Sequence, residues 1–208
     1  MPFRLKRSTE VIAGNGLELR PWDRQLVQQM ADWGERGFPY HPFDLGHLRE
    51  PQRAGAELFL RGHTGPHRHY VATEDGRAVG RVSLNLEDPA GLYLWSVHVP
   101  PELEGRGVCR RMLGALMTSF ERTLPDRSCV LVSNTFAEHA HRAYTALGFV
   151  VEETRWQFDR ELAEGLWRVS EAKRMALADH VRFCNGRWEV LVNVFRRPPG
   201  APMNVSSR

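Results

Sequence analysis

The chain has 208 residues, 42% hydrophobic and 25% charged, which is an ordinary globular balance with length enough for one substantial core. A formal charge of only +3 favours an anionic ligand at the right face without calling for nucleic acid. Three isolated cysteines, Cys109, Cys129 and Cys184, frame neither a disulfide scaffold nor a zinc knuckle, and point to a reducing, cytoplasmic setting.

Residues 1–15 read as an N-terminal arm, and their charged opening MPFRLKRSTE, with no apolar run behind it, predicts neither secretion nor a membrane span. A strand is expected near 17–20, and Asp23 is placed to cap a helix running to about Trp33, with Leu26, Met30 and Trp33 on one face. From 37 to 65 the chain is rich in proline, glycine and histidine, and reads as surface wall with one short helix near 45–53. Strands at 69–73 and 78–86 flank Asp75-Gly76, a hairpin signal, and a third strand covers 92–99. A helix starts near Val108 with an apolar stripe of Val108, Cys109, Met112, Leu113, Leu116, Met117 and Phe120. A short strand at 129–133 precedes a helix over 137–147, which Gly148 stops. A strand at 150–158, a helix at 161–179 and a strand at 188–195 follow, the helix reading as an insertion between the last two strands. The expectation is a mixed α/β (α+β) fold in a single domain over 16–196, with a disordered tail at 197–208.

The strand ending near Val99 leads through Pro100, Pro101, Gly105 and Gly107 into a helix N-terminus. Glycines there leave backbone N–H groups open, and a helix start adds positive potential, so Gly105, Arg106, Gly107, Val108, Cys109 and Arg110 form a candidate phosphate site. The absence of a Lys-Ser or Lys-Thr ending disfavours a nucleotide-kinase loop, and a dinucleotide fold needs another glycine and a different strand order.

Three segments carry a family resemblance. The run Val99-Pro100-Pro101-Glu102-Leu103-Glu104-Gly105-Arg106-Gly107-Val108-Cys109-Arg110 resembles the acyl-CoA pyrophosphate loop of the GNAT superfamily of N-acetyltransferases. Ala140-His141-Arg142-Ala143-Tyr144-Thr145-Ala146-Leu147-Gly148-Phe149 resembles that family's alanine, tyrosine, leucine-glycine-phenylalanine helix, and the segment Leu17 to Asp23 resembles its first strand and turn. The likeness covers about 16–158. It implies a central, mostly antiparallel sheet flanked by helices, here with an extra C-terminal helix. It also implies acetyl-CoA as acyl donor, no metal, and direct transfer to a primary amine of a small molecule or peptide.

By the same resemblance, Tyr144 protonates the departing thiolate, and Val97, His98 and Val99 lend backbone to the pantetheine arm. Asn134 stands one turn before Ala137, which takes a position often held by asparagine. Two departures are present: Glu104 where arginine or glutamine is usual, and Cys109 where the loop's last small residue falls. Glu104 is compatible with a pyrophosphate if it turns outward to Arg106 or Arg110. These departures keep an alternative open, a catalytically weak or inactive acyl-CoA-binding regulatory protein.

His98, at the end of its strand and with an ordinary pKa near neutrality, is the candidate general base. Glu35, His41 and Asp44 in the variable wall are candidates to recognise a cationic acceptor, and Ser96 is a candidate polar contact. Trp33, Phe38, Tyr40 and Phe43 allow a semi-apolar one. The cluster His63, His67 and His69 lacks the accompanying ligands of a metal site. A homodimer through the final strands or the inserted helix is a reasonable expectation; nucleic-acid and membrane partners are not.

Overall fold

Three Asx-Gly dipeptides punctuate the sheet. Asn15-Gly16, Asp75-Gly76 and Asn185-Gly186 all have positive φ at both residues, between 49° and 77°, which is the requirement of the tight hairpin turn that matches strand twist. They join β1 (Ile12–Gly14) to β2 (Leu17–Pro21), β3 (His67–Glu74) to β4 (Arg77–Asn85), and β8 (Val181–Cys184) to β9 (Arg187–Arg197). The described part of this computed structural model is residues 11–203 without 63 and 64, and without the Phe43 and Phe59 side chains. Expectations for the first ten residues, the last five, His63 and the Phe43 ring therefore lie outside the described residues.

Between the first strands, Asp23 caps α1 (Arg24–Ala31) by accepting from the Leu26 N–H at 2.8 Å, as its position predicts. The wall contains a longer helix than expected, α2 (Pro51–Gly62), with proline at its start where the absent N–H costs nothing. After β4 come β5 (Leu92–His98), α3 (Val108–Thr123), β6 (Cys129–Asn134), α4 (Glu138–Ala146) and β7 (Val150–Gln157). The sheet order is β1-β2-β3-β4-β5-β6-β9-β7, with β8 pairing β9, and every pairing is antiparallel except β5 with β6.

β4 is buried on both faces. On one side Leu19, Val82, Leu84 and Leu131 pack under the α3 stripe of Met112, Leu113 and Leu116. On the other, Val71 and Ala78 meet Trp22, Met30 and Trp33 from the α1 region. A third cluster joins Leu162 and Leu166 to Val181, Val190 and Val192.

Four expectations are corrected. Part of the arm is strand, since β1 continues the sheet. The helix expected over 161–179 is two, α5 (Arg160–Arg168) and α6 (Glu171–Met175), broken at Val169-Ser170. Arg174 from α6 reaches back to the Leu166 and Val169 carbonyls at 3.2 and 2.7 Å, satisfying the end of α5. The hairpin strand β8 was not anticipated. The tail is anchored as far as 203: Arg197, 2% exposed, donates to Leu147 O at 2.7 Å, to Ala201 O and to Glu121. Met203 packs on the main core.

β5 carries one extra residue against β4. Arg81 pairs His98 and Ser83 pairs Trp95, so three steps on β5 oppose two on β4, and Ser96 sits at φ 54° within this bulge. Beyond the bulge β5 leaves β6. Their ladder holds only Leu92–Cys129, Tyr93–Val130 and Leu94–Leu131, while β6 continues pairing β9 as far as Asn134–Val192.

Candidate active site

The split between β5 and β6 opens into a cavity of about 590 Å³. Its floor is the diverging strands, Trp95 to Val99 on one side and Leu131 to Asn134 on the other; α4 and the start of α3 wall it. Both glycines of the loop adopt the left-handed conformation, Gly105 at φ 73° and Gly107 at φ 72°. A side-chain carbon at Gly105 would meet nothing within 4 Å. The Arg111 N–H closes on Gly107 O at 3.0 Å, so the N–H groups of Val108, Cys109 and Arg110 in the first turn have no acceptor within the helix. Arg110 Nε is enclosed and likewise lacks a partner among the described residues. Open N–H groups, an unfilled cradle and an unpaired guanidinium nitrogen fit the pyrophosphate of an acyl-CoA.

Glu104 turns to Arg36 rather than to Arg106 or Arg110. Arg36 forms an ion pair with it, donates to Val99 O, and brings Nη1 to 3.4 Å from His98 Nε2. The departure from the usual loop residue is thus offset by a cation 68 positions away in sequence, and the carboxylate is drawn off the N–H groups. Cys109 packs against the core, and burial pushes its thiol up to about 12. It stays protonated at neutral pH and is no nucleophile.

Tyr144 lines the cavity from α4 and is 6% exposed. Its ring lies edge-on to Phe195 with centroids 5.5 Å apart. Burial, and then Cys109, raise its pKa above the ordinary phenol value, so the hydroxyl keeps its proton. His98 is 3% exposed and stacks on Trp33 at 5.2 Å. Burial, then Arg81 and Arg36, pull it down to about 2. The imidazole is neutral at physiological pH, but those same surroundings oppose its taking up a proton.

Of the residues read from sequence, the cavity gathers Ser96, Val97, His98, Val99, Gly105, Gly107, Val108, Cys109, Arg110, Asn134 and Tyr144. Arg106 is exposed and outside its lining. Glu35, His41 and Asp44 are not brought in. Glu35 is exposed beside Gly46, His41 contacts Glu161 O at 3.3 Å, and Asp44 accepts from the Arg36 and Gly37 N–H groups at 2.8 and 3.0 Å. The polar atoms of His41 and Asp44 hold the wall together. Tyr40, read from sequence as one of the aromatics open to a semi-apolar acceptor, does line the cavity, whereas Arg36, Trp95, Arg142, Gln157 and Asp159, which also line it, were missed. Asp159 carried a signal, since it caps α5 through the Leu162 N–H at 2.9 Å.

The family model for the acetyltransferase (GNAT) family matches residues 24–149, more than half of the chain. No curated protein matches it in sequence. Among solved structures it is similar to the acetyltransferase from Salmonella typhimurium that modifies the N-terminal serine of ribosomal protein L7/L12, at 18% identity and TM-score 0.57, covering 91% of this chain and 99% of that one. A GCN5-related N-acetyltransferase from Brucella melitensis gives 15% identity and TM-score 0.63, with 92% and 79% covered. The microcin C7 self-immunity acetyltransferase MccE, solved with acetyl-CoA and AMP, gives 9% and 0.60, with 88% and 93% covered. Among the described residues no helix is long and apolar enough to cross a membrane, and no group of three or more candidate metal-ligating side chains occurs. With its split sheet, its glycine loop and a matching family model, the chain belongs to the GNAT acetyltransferase family, as an N-acetyltransferase that uses acetyl-CoA and acts on amines.

Proposed function

We propose that the cavity transfers acetyl directly to a primary amine of a small molecule or peptide, with Tyr144 as proton donor. The observation that carries this reading is a buried, protonated phenol in the same cavity as the open first turn of α3. Acetyl-CoA supplies a thioester whose sulfur leaves as a thiolate. The N–H groups of Gly105 and of Gly107 to Arg110 hold the pyrophosphate, Arg110 adds charge from within the lining and the exposed Arg106 from outside it, and the backbone of Val97 to Val99 orients the arm along the edge that β6 leaves free. Tyr144 gives its proton to the departing sulfur and regains one from solvent. A thiol held protonated at Cys109 supports direct attack over an acyl-enzyme.

His98 is assigned to positioning rather than proton abstraction: a histidine held near 2 between two arginines is a weak base. The amine loses its proton to solvent at the cavity mouth. Three free cysteines support the reducing, cytoplasmic setting. The test is release of free thiol from acetyl-CoA across a panel of amines, with acetyl-CoA binding measured on the same sample. Amine-dependent release is expected; firm binding with no release across primary amines overturns the reading.

A further inference from the structure

Arg81 lies in the middle of β4, directly across from His98, and is 5% exposed. Its guanidinium makes no hydrogen bond or ion pair with any described residue, and Nε is fully enclosed without an acceptor. The terminal nitrogens of the fork are not among the enclosed, unpartnered atoms, and Arg81 is not one of the residues that line the reaction cavity. Every other arginine around it is matched. Arg61 pairs with Glu57 at 2.5 Å, leans 3.3 Å from His69 Nδ1 and lies over the Trp22 and Trp95 rings. Arg36 pairs with Glu104. Glu57 and Glu161 act on Arg81 only from longer range.

The neighbouring imidazoles add no charge either. His69 is lowered to about 4 by burial, Arg61 and His67, and His98 to about 2. One positive charge is left over, nine-tenths buried, directly behind a residue that lines the reaction cavity. A protein using this cation only for structure would supply a fixed carboxylate, because an unmatched buried charge is strongly unfavourable. Arginine's planar fork with two terminal nitrogens is shaped for a carboxylate. A single surplus charge matches a carboxylate better than a doubly charged phosphate.

We propose that Arg81 binds a carboxylate on the amine acceptor, so that the preferred substrates are amino acids and related small amino-carboxylates. This rests on the amine-acceptor reading above. Arg36, His98 and Trp95 line the reaction cavity, whereas Arg81 sits on the neighbouring strand behind His98 and is not itself part of that lining, so the carboxylate reaches it past His98.

The test uses paired acceptors, each amino acid against its own carboxamide, with the intact protein. The wild type is expected to prefer the acid by about 10- to 100-fold in kcat/KM. Arg81→Gln is expected to erase that ratio with acetyl-CoA Kd unchanged, and Arg81→Lys to restore part of it. In parallel, calorimetry in the presence of CoA follows binding of an N-acetyl amino acid and its amide to the wild type and to Arg81→Gln. Equal use of acid and amide by the wild type, or an undiminished preference in Arg81→Gln, overturns the proposal. Should no amine be acetylated while the N-acetyl amino acid still binds in an Arg81-dependent way, the amine-acceptor reading fails and the carboxylate site stands. If Arg81→Gln does not fold, the Lys variant decides, because a lost bidentate fork lowers the ratio without removing the charge.

Discussion

Replacing Arg81 by methionine should make the protein more stable. Burial first, and then Arg61, pull the Arg81 pKa from 12.5 to about 9 against the weaker support of Glu57 and Glu161. A displacement of three to four pKa values corresponds to roughly 5 kcal/mol against the charged form, an upper bound on what removing the charge returns. Methionine fills a similar volume without a polar atom, and exchanges of this kind gain about 1–4 kcal/mol. For a chain of this length each kcal/mol moves Tm by about 2–4 °C, so a central gain of about 2 kcal/mol raises Tm by about 4–8 °C. The sign with pH follows from the lowered value. Between about 9 and 12.5 the folded chain gives up the Arg81 proton while the unfolded chain keeps it. The wild type therefore regains stability as pH rises through that window, and the advantage of the variant is full below about 9 and shrinks above it. Denaturant unfolding of both proteins at pH 7.5 and near pH 10 reads both effects. A methionine variant that loses about 3 kcal/mol at pH 7.5 would mean that Arg81 has a structural anionic partner, and the reasoning would fail.

Tyr144→Phe should lower kcat by about 10²- to 10⁴-fold with acetyl-CoA Kd nearly unchanged, because only the proton donor is lost. Its raised pKa also means that the wild-type kcat should show no alkaline loss from this phenol below pH 10; stopped thiol-release assays across pH 7–10 check both, and an unchanged kcat removes Tyr144 from the chemistry. Gly107→Ala should lower Tm by about 2–8 °C through left-handed strain of about 1–2 kcal/mol. The added carbon itself would find ordinary contact with Arg110 Nη2 at 3.7 Å, so calorimetry showing no loss of stability would contradict the backbone argument.

The donor half of the site was readable because its chemistry is local. Two glycines with a helix start, and Tyr144 on an apolar stripe, sit within short windows whose periodicity reports their faces. The acceptor half was not, because Arg36, Arg81, Gln157 and Asp159 come from stretches far apart in the chain, two from strands and two from connecting segments, and only Asp159, as a helix cap, belongs to a pattern. Arg81 in particular reads as the polar residue of an alternating strand, and only the coverage of both faces of β4 makes it unusual. The hairpins at Asn15-Gly16 and Asn185-Gly186 were legible by the rule applied to Asp75-Gly76, but short or weakly apolar flanking strands concealed them. Ser170 is a helix-start residue following a β-branched valine, a break signal lost within a long apolar period. The tail misled through composition: prolines and glycine resemble a linker, while the anchor is a single buried arginine, Arg197.

The parting of β5 from β6 has a consequence for how such a protein diversifies. A free strand edge in the middle of a sheet offers its carbonyl and amide groups to whatever enters, and those groups are present whichever side chains the strand carries. Recognition of the donor is thereby written into the main chain, where most substitutions leave it intact. The acceptor, by contrast, meets side chains contributed from scattered positions, each replaceable alone. One half of the reaction is held constant by geometry while the other is free to drift, so a change of acceptor needs no renegotiation of the donor.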